Sequence, residues 1–272
     1  MALRIGIIGT GNIGGMLAKA WASAGQAEVF VYNRTPQKAR DLAREEPRIH
    51  LAASAQDVVR FADVVVVSTK ASDGRELMAA IGDQLAPSQI VATTISTIPL
   101  QEVETWTRAR VVKIIPSIVQ TARCGILLVS YGSRFDTARQ ECFEALLSQI
   151  SVPFAVNESQ LRVCSDMTSC GPAFLAGLLR AWAEAASETG HISCAEAEYL
   201  LTKTFISTGA LLSSGLTIGD ILHKVTVPGG VTAAGLRIVD ATAPAVFKRL
   251  HEETERHSDH GSAQPLVTGQ ET

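Results

Sequence analysis

The stretch Leu3-Arg4-Ile5-Gly6-Ile7-Ile8-Gly9-Thr10-Gly11-Asn12-Ile13-Gly14 decides the fold. Leu3 to Ile8 is a short apolar run that reads as a strand, and Asn12 to Ala24 continues as a helix with a small-residue face. A Gly-x-Gly-x-x-Gly turn placed between a strand and a helix is the phosphate-binding fingerprint of a dinucleotide fold. Each glycine has its own reason: Gly9 permits the tight turn, Gly11 lets the backbone approach a pyrophosphate, and Gly14 lets the helix lie close to the strand. Together with Asn12 and Ile13 they bring free N–H groups and the positive end of the helix dipole to the phosphates.

The next strand, Ala27 to Tyr32, ends where an NAD site of this kind carries an acid for the ribose. Here the tip reads Tyr32-Asn33-Arg34-Thr35; Glu28 stands at the strand's start and Asp41 lies well beyond it. The guanidinium of Arg34 can pair with a 2′-phosphate, and Thr35 and Lys38 can add donors, so the tip predicts NADPH rather than NADH. Lys70 follows the buried strand Asp63 to Ser68, at a carboxyl end where ligands of open α/β sheets lie. It reads either as a cofactor contact or as a solvated lysine.

Outward from this core, strands and helices alternate. Thr35 to Arg44 is predicted as a helix with Thr35 as cap and Pro36 in its first turn. Short strands at Ile49 to Ala52, Ile90 to Thr94 and Arg110 to Ile115 are separated by helices, which predicts a parallel, doubly wound sheet of the Rossmann type. Gly125 to Tyr131 and Val152 to Val156 add two strands around a helix from Asp136 to Gln149. After Asn157 the strand signals stop. Glu158 to Gly190 reads as a long helix interrupted at Gly171-Pro172, and Ser193 to Ser214 as a helix closed by a Ser193/Glu196 capping box. Val231 to His257 is a last helical stretch in which Pro244 marks a kink or a break. The expected organisation is a cofactor domain over 1–158, an all-helical dimerisation and substrate domain over 159–257, and a polar, disordered tail over 258–272.

Composition narrows the function classes. Hydrophobic residues make up 46% of the 272-residue chain and aromatics only 5%, which suits an aliphatic core of parallel strands under helices. A formal charge of −3 without a long Lys/Arg run argues against a nucleic-acid footprint. The five cysteines are odd in number and show no C-x-x-C spacing, so neither a disulfide scaffold nor a zinc site is expected. His257 and His260 read as solvated tail residues and His223 as a helix-end residue. The opening MALRIGIIGTG lacks a basic n-region, and no apolar run reaches membrane-spanning length, so a cytoplasmic protein is expected. The helical part is apolar beyond the needs of a solitary bundle, which predicts a homodimer or a higher homo-oligomer.

In the second half, Val225-Thr226-Val227-Pro228-Gly229-Gly230-Val231-Thr232 resembles the VTSPGGTT signature of pyrroline-5-carboxylate reductases, and Ser169-Cys170-Gly171-Pro172-Ala173-Phe174 resembles their GSGPAY segment. Asn33-Arg34, Lys70 and the stretch from Arg110 to Pro116 fall in register with the same family, and the resemblance extends to about residue 250. It implies a Rossmann domain followed by a helical domain that dimerises, and NADPH-dependent reduction of the C=N bond of 1-pyrroline-5-carboxylate to L-proline. It further implies that Gly229 and Gly230 hold the substrate carboxylate by backbone N–H groups, that Thr232 hydrogen-bonds near the ring nitrogen, and that Thr168 and Cys170 occupy the places of substrate-loop serines. Cys170 stands for a family serine, Ser117 for an asparagine and Val227 for a serine, so hydrogen-bonding capacity is reduced in the substrate half. The strings Ile115-Pro116-Ser117, Ser169 to Phe174 and Gly229 to Thr232 are similar to the ComER-like branch of late-competence proteins. That branch adds an alternative: a cofactor-binding regulatory protein with little or no turnover. A β-hydroxyacid dehydrogenase is disfavoured, because Pro172 to Gly190 contains neither the lysine nor the asparagine such an enzyme places there.

Overall fold

The computed structural model describes residues 3–259, which divide into two compact units, one running to Cys170 and one spanning Gly171–His257. The first is an eight-stranded sheet with helices on both faces. Its strands are β1 (Leu3–Ile8), β2 (Ala27–Tyr32), β3 (Ile49–Leu51), β4 (Val64–Val67), β5 (Ile90–Thr93), β6 (Arg110–Ile115), β7 (Ile126–Tyr131) and β8 (Val152–Ala155). The helices between them are α1 (Asn12–Ala24), α2 (Pro36–Glu45), α3 (Ala55–Phe61), α4 (Ala71–Ile81), α5 (Leu100–Trp106) and α6 (Thr137–Leu147), and α7 (Leu161–Thr168) follows β8. The strand order 3-2-1-4-5-6-7-8 contains the doubly wound arrangement in its first six strands, with the reversal between β1 and β4.

β4 shows why the sheet is covered on both faces. All four of its valines are buried. Val64 and Val66 join a core with Ile5, Ile7, Val29 and Val31 beneath α1, α2 and α6, while Val65 and Val67 join Ile8 and Val91 beneath α3, α4 and α5. Each buried valine contributes roughly 1.5–3 kcal/mol relative to exposure, so a polar residue anywhere on this strand would be costly. Trp21 anchors the first core; it is fully buried and its indole N–H reaches the Leu146 carbonyl oxygen at 3.4 Å.

One pairing departs from the parallel arrangement expected of the sheet. β1 to β6 are parallel, but β7 runs antiparallel to β6, and β8 is parallel to β7. The cause is the connection from Pro116 to Gly125, which carries only a 3-10 turn over Ile118–Ala122. A parallel neighbour needs a crossover of a dozen or more residues, normally a helix, and α6 supplies one between β7 and β8. Thr35 also differs from expectation. It occupies the cap position of α2 with Pro36 first in the helix, but its side chain makes no cap bond.

The first unit extends past the last strand because α7 packs on β7. The second unit holds α8 (Gly171–Ser187), α9 (Cys194–Ser213), α10 (Ile218–Val225) and most of α11 (Val231–Asp259). α8 and α9 pack on each other. The Ser193/Glu196 box closes the start of α9, with the Ser193 hydroxyl accepting from the Glu196 N–H and the Glu196 carboxylate accepting from the Ser193 N–H. A second box, Thr217/Asp220, starts α10. The helix expected over Glu158 to Gly190 is two, α7 and α8, parted at Ser169-Cys170. Pro244 does not break α11, which runs on as far as Asp259. The rest of the tail, including His260, lies outside the described residues. Buried residues within the second unit's helices are few (Gly171, Ala183 and Ala197), whereas Trp182, Tyr199, Ile206, Ile218 and Ile238 are all exposed.

Candidate active site

The carboxyl ends of β1, β2, β4 and β5 open onto a cleft of about 700 Å³. Its wall contains Gly9, Gly11, Asn12, Ile13, Asn33, Arg34, Thr35 and Lys70, so the structure gathers all the sequence-predicted cofactor residues except Gly14. Gly14 lies beneath the turn. A Cβ there would stand 1.9 Å from the Gly9 carbonyl oxygen. Gly9 has φ +99°, and a Cβ on it would stand 2.2 Å from the Ser68 carbonyl oxygen. The fold itself thus demands glycine at both positions. Gly11 is different: a Cβ there would meet nothing within 4 Å. Its backbone, at φ −70° and ψ −165°, suits any residue. The protein leaves an open space at the amino end of α1 that a methyl group would fill, which is the cradle a diphosphate requires.

The second strand's tip is tied to this turn by Asn33. Its Oδ1 accepts from the Thr10 N–H at 2.9 Å, and its Nδ2 donates to the Thr35 carbonyl oxygen at 3.0 Å. Asn33 therefore holds two walls of the cleft in register. Arg34 is 80% exposed and its guanidinium lies 3.4 Å from the Asp73 carboxylate. An exposed pair of this kind contributes only about 0–1 kcal/mol, so a phosphate dianion competes with it readily. Lys70 stands at the cap position of α4, exposed, and its side chain makes no cap bond.

Several cleft residues escaped the sequence reading. Ser68, Thr69, Gln56 and Thr94 line the wall, and Thr94 Oγ1 meets Ser68 Oγ at 3.2 Å. The signal available for Ser68 and Thr94 was position alone, at carboxyl ends of parallel strands. Lys113 also went unremarked. It is 1% exposed in β6, and its ammonium donates to the Glu158 carboxylate and to the Ser96 carbonyl oxygen, while Glu158 accepts from the Leu100 N–H. These bonds, made by a buried lysine and a partly exposed glutamate, fix the segment between β5 and α5, which begins at Thr94.

The residues expected to act on substrate are divided between the units. Thr168, in α7, donates its hydroxyl proton to the Cys164 carbonyl oxygen at 2.9 Å. Cys170 is half-buried, and Arg162 Nη2, which also pairs with the buried Asp166, reaches its Sγ at 3.5 Å. In the second unit, Gly229 adopts φ +74° and Gly230 donates its N–H to the Val227 carbonyl oxygen at 2.9 Å. Thr232 follows in the first turn of α11, exposed. His223 is exposed in the last turn of α10. No metal-holding cluster of His, Cys, Asp and Glu occurs among the described residues, and no single described helix is long and apolar enough to cross a membrane.

Comparison with known proteins places the chain in a family. Residues 4–96 match the profile of the family described as NADP oxidoreductase, coenzyme F420-dependent, and residues 158–260 match that of pyrroline-5-carboxylate reductase dimerisation. The chain is 28% identical over 256 residues to ComE operon protein 4 of Bacillus subtilis, covering 93% of this chain and 94% of that one. It is 30% identical over 263 residues to the pyrroline-5-carboxylate reductase of Mycobacterium tuberculosis, covering 86% of this chain and 88% of the relative. Its fold is similar to a solved pyrroline-5-carboxylate reductase from Coxiella burnetii, with a TM-score of 0.87 at 19% identity over 97% of this chain and 100% of that one. The chain belongs to the pyrroline-5-carboxylate reductase family.

Proposed function

We propose that this protein is an NADPH-dependent oxidoreductase that reduces a cyclic imine, 1-pyrroline-5-carboxylate, to L-proline. The observation that carries the reading is the glycine trio: Gly9 and Gly14 are required by neighbouring backbone, and Gly11 is not, so its freedom serves a ligand. The open amino end of α1 would hold the diphosphate, and Arg34, Thr35 and Lys38 the 2′-phosphate, with Lys70 in the same cleft at the start of α4. NADPH, when bound, supplies the hydride for the C=N carbon.

A protonated imine is already electrophilic, so the protein's task is chiefly position. Gly229 and Gly230 would hold the substrate carboxylate through backbone N–H groups, and the Thr232 hydroxyl would orient the ring nitrogen. Thr168 and Cys170 would line the substrate loop. Two further expectations belong with this reading. The exposed apolar helices of the second unit, together with the dimerisation profile over residues 158–260, support a homodimer. Five free cysteines suit a reducing compartment, the cytoplasm.

A second reading, a regulatory protein that binds the cofactor with little turnover, draws on one observation. The Thr168 hydroxyl proton is already committed to the Cys164 carbonyl oxygen, and the neighbouring thiol is a weak donor. The discriminating experiment follows NADPH oxidation by wild type and Thr232→Ala with pyrroline-5-carboxylate and other small cyclic imines. Turnover by wild type with a loss of at least tenfold in Thr232→Ala supports the reductase. Tight NADPH binding without oxidation by any imine favours regulation, and an undiminished Thr232→Ala removes the substrate-site assignment.

A further inference from the structure

Lys113 is a charged side chain in β6 that is 1% exposed, and the reaction proposed above makes no use of it. Its ammonium donates to the Ser96 carbonyl oxygen at 3.1 Å and to the Glu158 carboxylate at 2.5 Å. The same carboxylate oxygen accepts from the Leu100 N–H at 2.9 Å. The pair therefore grips both ends of the irregular stretch that enters α5. A buried ion pair adds little net stability, because desolvating two charges costs about what their attraction returns. What this pair supplies is a fixed position.

The position concerns two places. Residues 94–99 leave the carboxyl end of β5, and Thr94 lines the cofactor cleft with its Oγ1 3.2 Å from Ser68 Oγ. The stretch is pressed against α4: Ile95 and Ile98 are buried, and a Cβ on Gly74 would stand 2.3 Å from Ile95 Cδ1. A dinucleotide lies across the reversal of strand order, here between β1 and β4. With its 2′-phosphate at the tip of β2, its nicotinamide half falls on the side of β4 and β5, where Thr94 stands. The second place is the turn Glu158–Gln160, which runs directly into α7 and so to Thr168 at its far end. Those eight helical residues span only about 12 Å. One ammonium thus joins the wall beside the nicotinamide to the root of the helix that leads to Thr168 and Cys170.

We infer that Lys113 is a positioning residue for hydride transfer. Through Ser96 and Glu158 it holds the nicotinamide wall and the start of α7 in one register, so that hydride donor and imine carbon meet at reacting distance. It acts through these neighbours and touches neither cofactor nor substrate. The effect on turnover rests on the reductase reading; the effect on the nicotinamide ring needs only that NADPH binds.

The test uses the full chain and Lys113→Met, which keeps a buried apolar stem and removes the ammonium. The groups left behind belong to residues that solvent reaches, Ser96 and the 38% exposed Glu158, so the urea midpoint should stay near that of wild type. Lys113→Met/Glu158→Gln, with neither charge, replaces it if the single variant unfolds early. NADPH affinity by calorimetry should match wild type, while kcat with pyrroline-5-carboxylate falls roughly tenfold or more. The fluorescence lifetime of bound NADPH should shorten, because the reduced ring is no longer held. Lys113→Arg, which keeps donors for both acceptors, should recover part of each loss. Unchanged kcat and lifetime overturn the inference, whatever happens to stability. A fall in NADPH affinity that accounts for the whole loss of activity also overturns it. Wild type that binds NADPH but reduces no imine refutes the reductase reading alone; a shortened lifetime in Lys113→Met then sustains the role of Lys113 at the ring, and an unaltered one removes it. Wild type that binds no NADPH overturns both.

Discussion

Replacing each of the three loop glycines by alanine separates what the fold needs from what the ligand needs. Gly9→Ala forces a methyl-bearing residue to φ +99° and to within 2.2 Å of the Ser68 carbonyl oxygen. Left-handed backbone costs roughly 1–2 kcal/mol for an L-residue, and forced overpacking adds about 1–3 kcal/mol. Gly14→Ala meets the Gly9 carbonyl oxygen at 1.9 Å and carries the overpacking cost alone. At roughly 2–4 °C per kcal/mol for a unit of this size, Gly9→Ala should lower Tm by about 4–20 °C and Gly14→Ala by somewhat less. Gly11→Ala meets nothing and keeps an allowed backbone. A small loss of cap preference is offset by reduced freedom of the unfolded chain, leaving a net change within about 1 kcal/mol. The same methyl group fills the cradle, so NADPH affinity should fall at least tenfold. Scanning fluorimetry without cofactor and calorimetry with NADPH read the two effects. The reasoning is refuted if Gly11→Ala melts as early as Gly9→Ala, or if it binds NADPH as wild type does.

Three other outcomes follow from the same structure. Arg34→Ala should raise the Michaelis constant for NADPH far more than for NADH, with Tm unchanged, because only an exposed pair with Asp73 is lost; equal effects on the two cofactors would remove Arg34 from phosphate recognition. Glu158→Gln leaves the buried Lys113 ammonium without its counter-charge and should cost about 2–4 kcal/mol by urea denaturation, a value placed at the lower end for buried pairs because Glu158 is partly exposed; no change in stability would mean that the pair is dispensable. The Arg4 guanidinium, through its hydrogen bond and charge, holds the Asp63 carboxyl below the usual carboxylate range. A depressed folded-state pKa gives stability that is present above the unfolded value and lost as pH falls through the folded one. Asp63→Asn should therefore flatten the decline of stability below about pH 4, seen in melts at pH 7 and pH 3; an unaltered slope would mean that other carboxylates dominate.

The first unit was largely legible because its determinants are local. The glycine turn and the four valines of β4 each specify their structure within a few residues, as the Ser193 and Glu196 spacing does in the second unit. The direction of β7 was not, since it depends on the absence of a crossover helix between Pro116 and Gly125, a negative feature that strand propensity does not report. Asn33 was placed in the cleft, but its bond to the Thr10 N–H joins positions 23 residues apart and shows only in three dimensions. Lys113 and Glu158 lie 45 residues apart, and nothing in the sequence around either one reports their pairing. Arg123 carries no motif at all, and its left-handed backbone emerges only once the loop is folded.

The most direct test of the proposed reaction supplies NADPH carrying deuterium at the transferable position of the nicotinamide ring, together with pyrroline-5-carboxylate, and examines the product by mass spectrometry. Proline bearing one deuterium on the former imine carbon is the expected result. Bound but unconsumed NADPH, with no labelled proline formed, would contradict the assignment of this chain as a reductase.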